Sequence, residues 1–318
     1  MNLTTTTQVD PAVGIFYDRV LLKRAVPALV HDRFAQKKAI KSKSGTTIKF
    51  RRYNSLTVAK TPLAEGVTPP GQQLSKTDLT AQVSQYGDFV HVTDVVDLTV
   101  EDAVLTETAI LLGEQMGETL DEITRDILAA CASVTNASGG FNGDTPTEIT
   151  QDDVDAVVDT LLGGNAKFFT GIMRAGTGVG TAPVRAAYWG IFDTDIRRDV
   201  EDCEDWLGAH QYPNQTDIQA DEWGATGNVR WLMTTKGYYT DDTSNLGADT
   251  YYLPIFGKDA YGTIKLDGGT VQNIVKEFGS GGTSDPLNQR ATSGWKAWWV
   301  ARILNDAFMH ILKVTKNA

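Results

Sequence analysis

Apolar residues recur at steps of three and four through the middle of the first half of the chain. This spacing predicts one amphipathic helix over about residues 99–133, because side chains three and four positions apart share a helix face. Thr99 followed by Asp102 is typical of a helix start. At 1.5 Å per residue the helix would be ~50 Å long, so we expect it to span a domain. Its predicted core residues are Leu105, Leu112, Met116, Leu120, Ile123 and Ile127.

Before this stripe, over residues 46–93, apolar and polar residues alternate with a period of two. Ile48 and Phe50 start the pattern, and Val90 and Val92 end it. A Pro/Gly-rich stretch at residues 61–71 separates the alternating segments, so the pattern predicts a long β-hairpin that projects from the body. Isolated hairpins are marginally stable in water, so we expect this one to lie on a partner. A hairpin closed into a β-sandwich is the alternative.

The rest of the chain mixes both periods, which predicts an α+β fold. A capping pattern at Thr150 and Asp153 starts a second helix, which Gly163 and Gly164 end. Strand-like sequence flanks a Gly-rich loop between residues 168 and 189, and a second lobe is expected over 190–250. Its expected elements are a helix at 193–206 and a strand at 229–234. Four later stretches are also strand-like: 251–266, 271–276, 292–304 and 309–314.

Charge is distributed unevenly along the 318 residues, whose net charge is −11. Residues 1–53 contain eleven basic and three acidic side chains, a net charge of +8, which leaves −19 for the remainder. This asymmetry predicts a basic arm whose partner is a polyanion or an acidic neighbouring copy; a solvated basic surface is the alternative. The arm residues singled out are Arg19, Lys23, Arg24, Arg33, Lys37 and Lys38.

Motifs for chemistry are weak, so we expect no catalytic, cofactor or metal site and no enzyme activity. The loop Gly176–Gly180 lacks the Lys-Ser/Thr pair of a phosphate loop. The acidic run 193–205 follows no calcium-loop spacing, and the cysteines and histidines are scattered. Trp295, Trp298 and Trp299 lie among apolar residues, which favours core packing over base stacking. No apolar run is long enough for a membrane span, so a soluble protein made in the cytoplasm is expected.

Several short motifs in this order resemble the major capsid proteins of tailed bacteriophages, over about residues 17–313. The resemblance is to the Hong Kong 97-type fold, in the subfamily of podovirus coat proteins. The motifs are Phe50-Arg-Arg-Tyr53, the run from Thr61 to Thr68, Gln85-Tyr-Gly-Asp88, Leu111-Leu-Gly-Glu114, Glu118-Thr-Leu-Asp121, the run from Glu222 to Arg230, the run from Phe256 to Gly262, Asp285-Pro-Leu287 and Gly294-Trp-Lys296.

The resemblance implies five parts in sequence order. These are an N-terminal arm (1–45), an extended β-hairpin loop (46–93), a peripheral domain with the spine helix (94–189), an axial domain (190–250) and return strands that complete the peripheral domain (251–318). The extended loop would contact a neighbouring subunit. The residues assigned to that contact are Lys60, Pro62, Glu65, Gly66, Pro69 and Pro70.

The implied function is a homo-oligomeric shell of pentamers and hexamers that encloses double-stranded DNA bound without sequence preference. Such a protein belongs to the virion capsid and assembles in the host cytoplasm. Scaffold, portal and decoration proteins are further partners that the resemblance allows. Covalent cross-linking through Lys60 is not predicted, since no partner Asn and Glu can be assigned. Two alternatives stay open: another phage structural or surface-binding module, and a nucleotide-dependent enzyme using the loop Gly176–Gly180.

Overall fold

The computed structural model describes most of the chain from residue 30 onward, and only the backbone of residues 104–106. The described ranges are 30–41, 44–62, 65–66, 68, 70–94, 104–174, 182–214, 217–241, 249–266, 271–280 and 285–317. The helices are α1 (Val104–Ala129), α2 (Gln151–Gly163) and α3 (Arg197–Glu201), with single 3₁₀ turns at Thr194–Ile196, Ala209–Gln211 and Asp306–Phe308. The strands are β1 (Gln36–Ile40), β2 (Thr47–Tyr53), β3 (Lys76–Gln82), β4 (Ser84–Thr93), β5 (Val134–Asn136), β6 (Tyr188–Asp193), β7 (Trp206–Gly208), β8 (Glu222–Thr226), β9 (Val229–Thr234), β10 (Tyr238–Thr240), β11 (Thr250–Phe256), β12 (Tyr261–Leu266), β13 (Val271–Lys276), β14 (Arg290–Ile303) and β15 (Met309–Thr315).

The long helix α1 ends earlier than the sequence pattern predicts, at Ala129 instead of 133. The helix ends before residue 133 because the chain there pairs with β15. The Ser133 carbonyl accepts the amide of Ile311 at 2.9 Å, and β5 then pairs in parallel with β15. The 26 residues of α1 correspond to ~39 Å of helix. The predicted start at residues 99–103 lies outside the described residues.

One face of α1 packs on a five-stranded sheet centred on β14. Along one edge β14 pairs antiparallel with β4, along the other with β13 and β12, and β1 adds to β12 in parallel. The side chains of β14 alternate, and the alternate set starting at Ala291 faces the helix. Trp295 and Trp299 of that set are buried and donate their indole N–H groups to Gln115 and Thr124 at 3.1 and 3.2 Å. Trp295 and Trp299 therefore form core, as predicted from their apolar neighbours, whereas Trp298 is partly buried beside the hairpin base.

A two-stranded hairpin, β2 with β3, leaves this sheet. The hairpin is shorter than the predicted span of 46–93, because β4 pairs with β14 over ten residues and not with β2. The switch occurs at Val83, which is 3% exposed and donates its amide to the carbonyl of Thr46 at 2.8 Å. A central strand of 14 residues offers β4 a longer ladder than the hairpin could.

A second, eight-stranded sheet holds the remaining strands in the order β5-β15-β11-β6-β9-β8-β7, with β10 on β11. Strand pairing departs from the predicted division at 250/251, because β11 lies between β15 and β6 within this one sheet. The last two strands likewise do not pair with each other: β14 belongs to the first sheet and β15 to the second. Each strand buries its apolar side chains within the sheet to which it belongs.

Helix α2 covers one face of the eight-stranded sheet, and its start is a complete capping box. The Thr150 side chain accepts the amide of Asp153, whose carboxylate accepts the Thr150 amide in return. The predicted helix over 193–206 is shorter: a 3₁₀ turn leads into α3, which ends at Glu201 before β7 begins. Beside these helices, the chain on either side of the Gly-rich loop forms isolated bridges at Thr170 and Met173 instead of long strands. The loop Gly176–Gly180 itself lies outside the described residues.

Candidate subunit interface

The base of the hairpin is anchored in the body by a small apolar cluster. Phe50, Ala81 and Val83 pack with Ile40 of β1 and Ile264 of β12, and all five are at most 7% exposed. Alternation explains the arrangement, since Phe50 and its cross-strand neighbours point to the same side of the ribbon. The direction in which the hairpin leaves is therefore held by core packing.

Beyond this base, no described part of the body packs on the hairpin. Every described residue from 51 to 76 is exposed. The two arms stay together through the Asn54 amide, which donates to Ser75 O at 3.0 Å, and through the Gln72 side chain, which donates to Thr57 O at 2.7 Å. Arg51 and Asp78 form a surface ion pair at 2.9 Å, and this hydrogen bond lowers the pKa of Asp78. Exposed pairs of this kind contribute little to stability.

The hairpin also exposes apolar side chains of a size that soluble monomers usually bury. Leu56 is 53% exposed, Val58 73% and Leu74 69%, and Tyr53 lies beside them at 63%. They lie on the same projecting ribbon, and no described element covers them. Several large apolar side chains exposed on one projecting segment favour an interaction site there.

The tip residues singled out from the sequence lie at the far end of this ribbon. Lys60, Pro62, Glu65, Gly66 and Pro70 are all exposed. Gly66 has φ +77°, a backbone conformation that suits glycine in a tight turn. Pro69 lies outside the described residues. The structure therefore places the described tip residues where a second molecule could reach them.

The body offers an open groove of about 660 Å³ on the face of the five-stranded sheet that is turned away from α1. Phe89 of β4 and Ile274 of β13 flank it and are 58% and 41% exposed. Its floor is flat because Gly87 and Gly294 lie there: a Cβ atom on Gly294 would come within 2.7 Å of the Phe89 Cβ. This surface, which we call the outer groove, was not predicted from the sequence, because it arises from strands distant along the chain.

Of the six basic-arm residues singled out from the sequence, the three that the structure describes differ in their surroundings. Arg33 reaches the segment just before β8 of the eight-stranded sheet, where it donates to the Ala220 carbonyl and pairs with Asp221. Lys37 pairs with the buried Asp32 at 3.0 Å. Lys38 is exposed, with its Nζ 5.0 Å from the centre of the Phe50 ring. Arg19, Lys23 and Arg24 lie outside the described residues.

The apolar stripe of α1 is placed against the sheet as its spacing indicates. Leu112, Met116 and Leu120 are at most 3% exposed, and Ile123 and Ile127 are partly buried. The Leu105 side chain lies outside the described set. Sequence reasoning missed Asp121, which is 3% exposed and accepts hydrogen bonds from residues 30 and 31. An aspartate inside an apolar stripe is the one signal that could have found it.

Buried titratable groups in the described residues have structural environments. Burial raises the pKa of Cys203 to about 12 and also raises that of Cys131, which favours the protonated thiol at both positions. Arg230 is buried in a bidentate pair with Glu222, at 2.6 and 2.7 Å. Burial also raises the pKa of Tyr261.

No three acidic, histidine or cysteine side chains in the described ranges are grouped to hold a metal ion. The acidic run over 193–205 is spread among separate partners. Asp193 accepts the Gly237 amide at 2.8 Å, and Asp195 accepts the Tyr251 hydroxyl at 3.1 Å. Within the same described part of the chain, no helix is long and apolar enough to cross a bilayer.

Comparison with known proteins identifies the fold. Neither protein-family models nor curated protein sequences match the chain. Solved structures do. The capsid of Ralstonia phage GP4 matches with a TM-score of 0.65 at 11% identity, over 91% of this chain and 89% of that one. The capsid of cyanophage Pam1 matches with 0.58 at 13% identity, over 92% of each chain. An encapsulin complex from Synechococcus elongatus matches with 0.55 at 8% identity, over 90% and 88%. The chain has the α+β Hong Kong 97-type fold of tailed-phage capsid proteins.

Proposed function

We propose that this chain is the major capsid protein of a tailed bacteriophage, a structural subunit without catalytic activity. The observation that carries the proposal is the hairpin beyond its anchored base, which exposes every described residue from 51 to 76. Such a hairpin adds no stability to a subunit on its own, because an isolated two-stranded hairpin is only marginally stable in water. It becomes stabilising only when another copy covers it. The capsid structures that share the fold agree with this interpretation.

In the proposed mechanism each hairpin lies across the neighbouring subunit and brings its apolar side chains to the outer groove. Burying one such side chain contributes ~1.5–3 kcal/mol. The contact joins two different surfaces, so it is heterologous and closes into rings when the rotation between copies allows. The eight-stranded units would surround the axes of pentamers and hexamers. Summed over the shell, many modest contacts would hold packaged DNA without a single strong bond.

The basic arm supports a nucleic-acid partner or an acidic neighbour. Residues 1–53 carry a net charge of +8 on a chain of −11 overall. Charge of this kind binds phosphate without sequence preference and loses affinity as salt rises. Double-stranded DNA inside the shell is the proposed partner. Scaffold, portal and decoration proteins are further partners, and host cytoplasm is the proposed place of assembly.

The proposal is tested on shell formation by two matched double variants. Val58→Ser with Leu74→Ser changes side chains 73% and 69% exposed on the hairpin, whereas Phe141→Ser with Ile172→Ser changes side chains 77% and 71% exposed elsewhere. All four are exposed, so both variants are expected to fold and to melt like the parent. Negative-stain microscopy should show closed shells for the parent and the second variant, and unassembled subunits for the first.

Shells of normal size from the hairpin variant would overturn the proposed role of the hairpin. Equal loss of shells from both variants would also count against it, since the effect would then not be specific to the ribbon. Deleting residues 62–71 is a stronger version of the same change. It should leave a folded subunit that forms no shells.

A second candidate, a protein compartment of the encapsulin type, is favoured by the match to an encapsulin complex. The two functions differ in what the shell encloses. Particles purified from cells that carry the sequence are treated with nuclease, opened and analysed. Protected double-stranded DNA supports the capsid function, whereas DNA-free shells that contain a second protein support the compartment.

A further inference from the structure

One carboxylate on α1, that of Asp121, holds the start of residues 30–34, which we call the arm root. Asp121 Oδ1 accepts the amides of Val30 and His31 at 2.9 and 2.8 Å. Asp121 Oδ2 lies 2.7 Å from Nδ1 of the His31 ring. Asp121 and His31 are 3% and 1% exposed. Three donors from two adjacent residues therefore converge on one buried group about 90 positions further along the chain.

The described hydrogen bonds of the Asp121 carboxylate do not involve α1 itself. Burying an ionised carboxylate is costly unless donors satisfy it. Among the described residues, the hydrogen-bond partners of Asp121 all come from the arm root and none from α1 or the sheets. An apolar residue would serve a helix core better, so the aspartate is explained by what it holds.

The same root is tied to both sheets. The Tyr261 hydroxyl of β12 donates to the His31 carbonyl, and Thr263 of β12 donates to Asp32. Arg33 pairs with Asp221, ahead of β8 in the eight-stranded unit. The Phe34 ring stacks on Trp189 of that unit, with centroids 4.5 Å apart. Four consecutive residues therefore contact α1 and both sheets, and Asp121 closes the helix side of this junction.

We infer that Asp121 is a positioning residue for assembly: it holds residues 30 and 31 at a fixed place on the body and so sets where the N-terminal segment 1–29 is attached. The inference rests on the proposed function for its meaning, because a fixed attachment point matters only if that segment contacts a partner. The fastening itself can be measured on the isolated subunit. Its failure is therefore distinguishable from failure of the proposed function.

The test compares three changes on α1 by hydrogen exchange of the Val30 and His31 amides. Asp121→Leu removes all three hydrogen bonds. Asp121→Asn keeps the oxygen for both amides, and its NH₂ group can donate to His31 Nδ1 when the ring proton sits on Nε2. Thr124→Val removes the acceptor of the Trp299 indole one turn away and leaves the arm root intact. The Ile311 amide, bonded to Ser133 O, reports global opening as an internal reference.

Asp121→Leu should accelerate exchange of the two arm amides on the order of 100-fold relative to the Ile311 amide, since charge-assisted hydrogen bonds are lost. Asp121→Asn should rescue most of the protection, and Thr124→Val should leave the ratio unchanged. If Asp121→Leu does not fold, His31→Leu removes one bond and should accelerate exchange roughly tenfold. If a folded Asp121→Leu variant shows the parent's ratio of Val30 and His31 exchange to Ile311 exchange, Asp121 does not hold the arm root.

Shell formation then tests the positioning role in the full chain. Asp121→Leu subunits should fail to form closed shells, whereas Thr124→Val and Asp121→Asn subunits should assemble. Fast exchange together with normal shells would overturn the role in assembly. If the parent itself forms no shells, the proposed function fails while the exchange ratios still decide whether Asp121 holds the arm.

Discussion

The packing of α1 on β14 makes a quantitative prediction for Leu120→Ala. Leu120 is 3% exposed and packs in one cluster with Met116, Trp295 and Trp299. Large-to-small changes at such sites cost ~2–5 kcal/mol, and more when the neighbours cannot collapse into the cavity. The indole of Trp299 is held by its hydrogen bond to Thr124, so little collapse is expected. We therefore expect the upper half of the range, ~3–5 kcal/mol in the free energy of unfolding.

The same helix supplies a matched control. Leu111 is 61% exposed, so Leu111→Ala should change the free energy of unfolding by less than about 0.5 kcal/mol. Urea unfolding of the unassembled subunit measures both, with the shift in midpoint interpreted only if the slope stays constant. If the two variants unfold at the same midpoint, the stripe is not core and the argument from helix periodicity fails.

Two further predictions concern buried charge. Glu222→Gln should lower the free energy of unfolding by about 3–5 kcal/mol, because it leaves Arg230 buried without its counter-charge. The control Glu201→Gln weakens a partly exposed contact, so it should lower the free energy of unfolding much less in the same urea assay. His310 is 6% exposed and its Nε2 lies 2.7 Å from the Thr135 hydroxyl, while burial lowers the pKa of the ring from its ordinary 6.5. The folded state thus favours the neutral ring, so its contribution to stability is full above pH 6.5 and declines as the pH falls toward the lower folded pKa. Unfolding midpoints of His310→Gln should be flatter with pH below 6.5 than those of the parent; an equal slope would show that another group titrates.

Local periodicity was enough to determine several elements of this protein. The steps of three and four along α1 placed Leu112, Met116 and Leu120 on its buried face. The capping residues Thr150 and Asp153 marked the start of α2. These features depend on neighbours within one or two turns, so the amino-acid order alone specifies them.

Partner choice was decided only by the tertiary structure. Both β4 and β3 alternate in the same way, yet β4 pairs with β14 some 200 residues away, while β3 remains with β2. Likewise β14 and β15 are adjacent in sequence and belong to different sheets. Alternation states which side of a strand is apolar but not which strand lies beside it, because the partner is set by the apolar face that remains uncovered. The outer groove and the hydrogen bonds from residues 30 and 31 to Asp121 arise from such distant pairings. A local pattern could mark Asp121 as unusual within the stripe, but it could not show what the carboxylate holds.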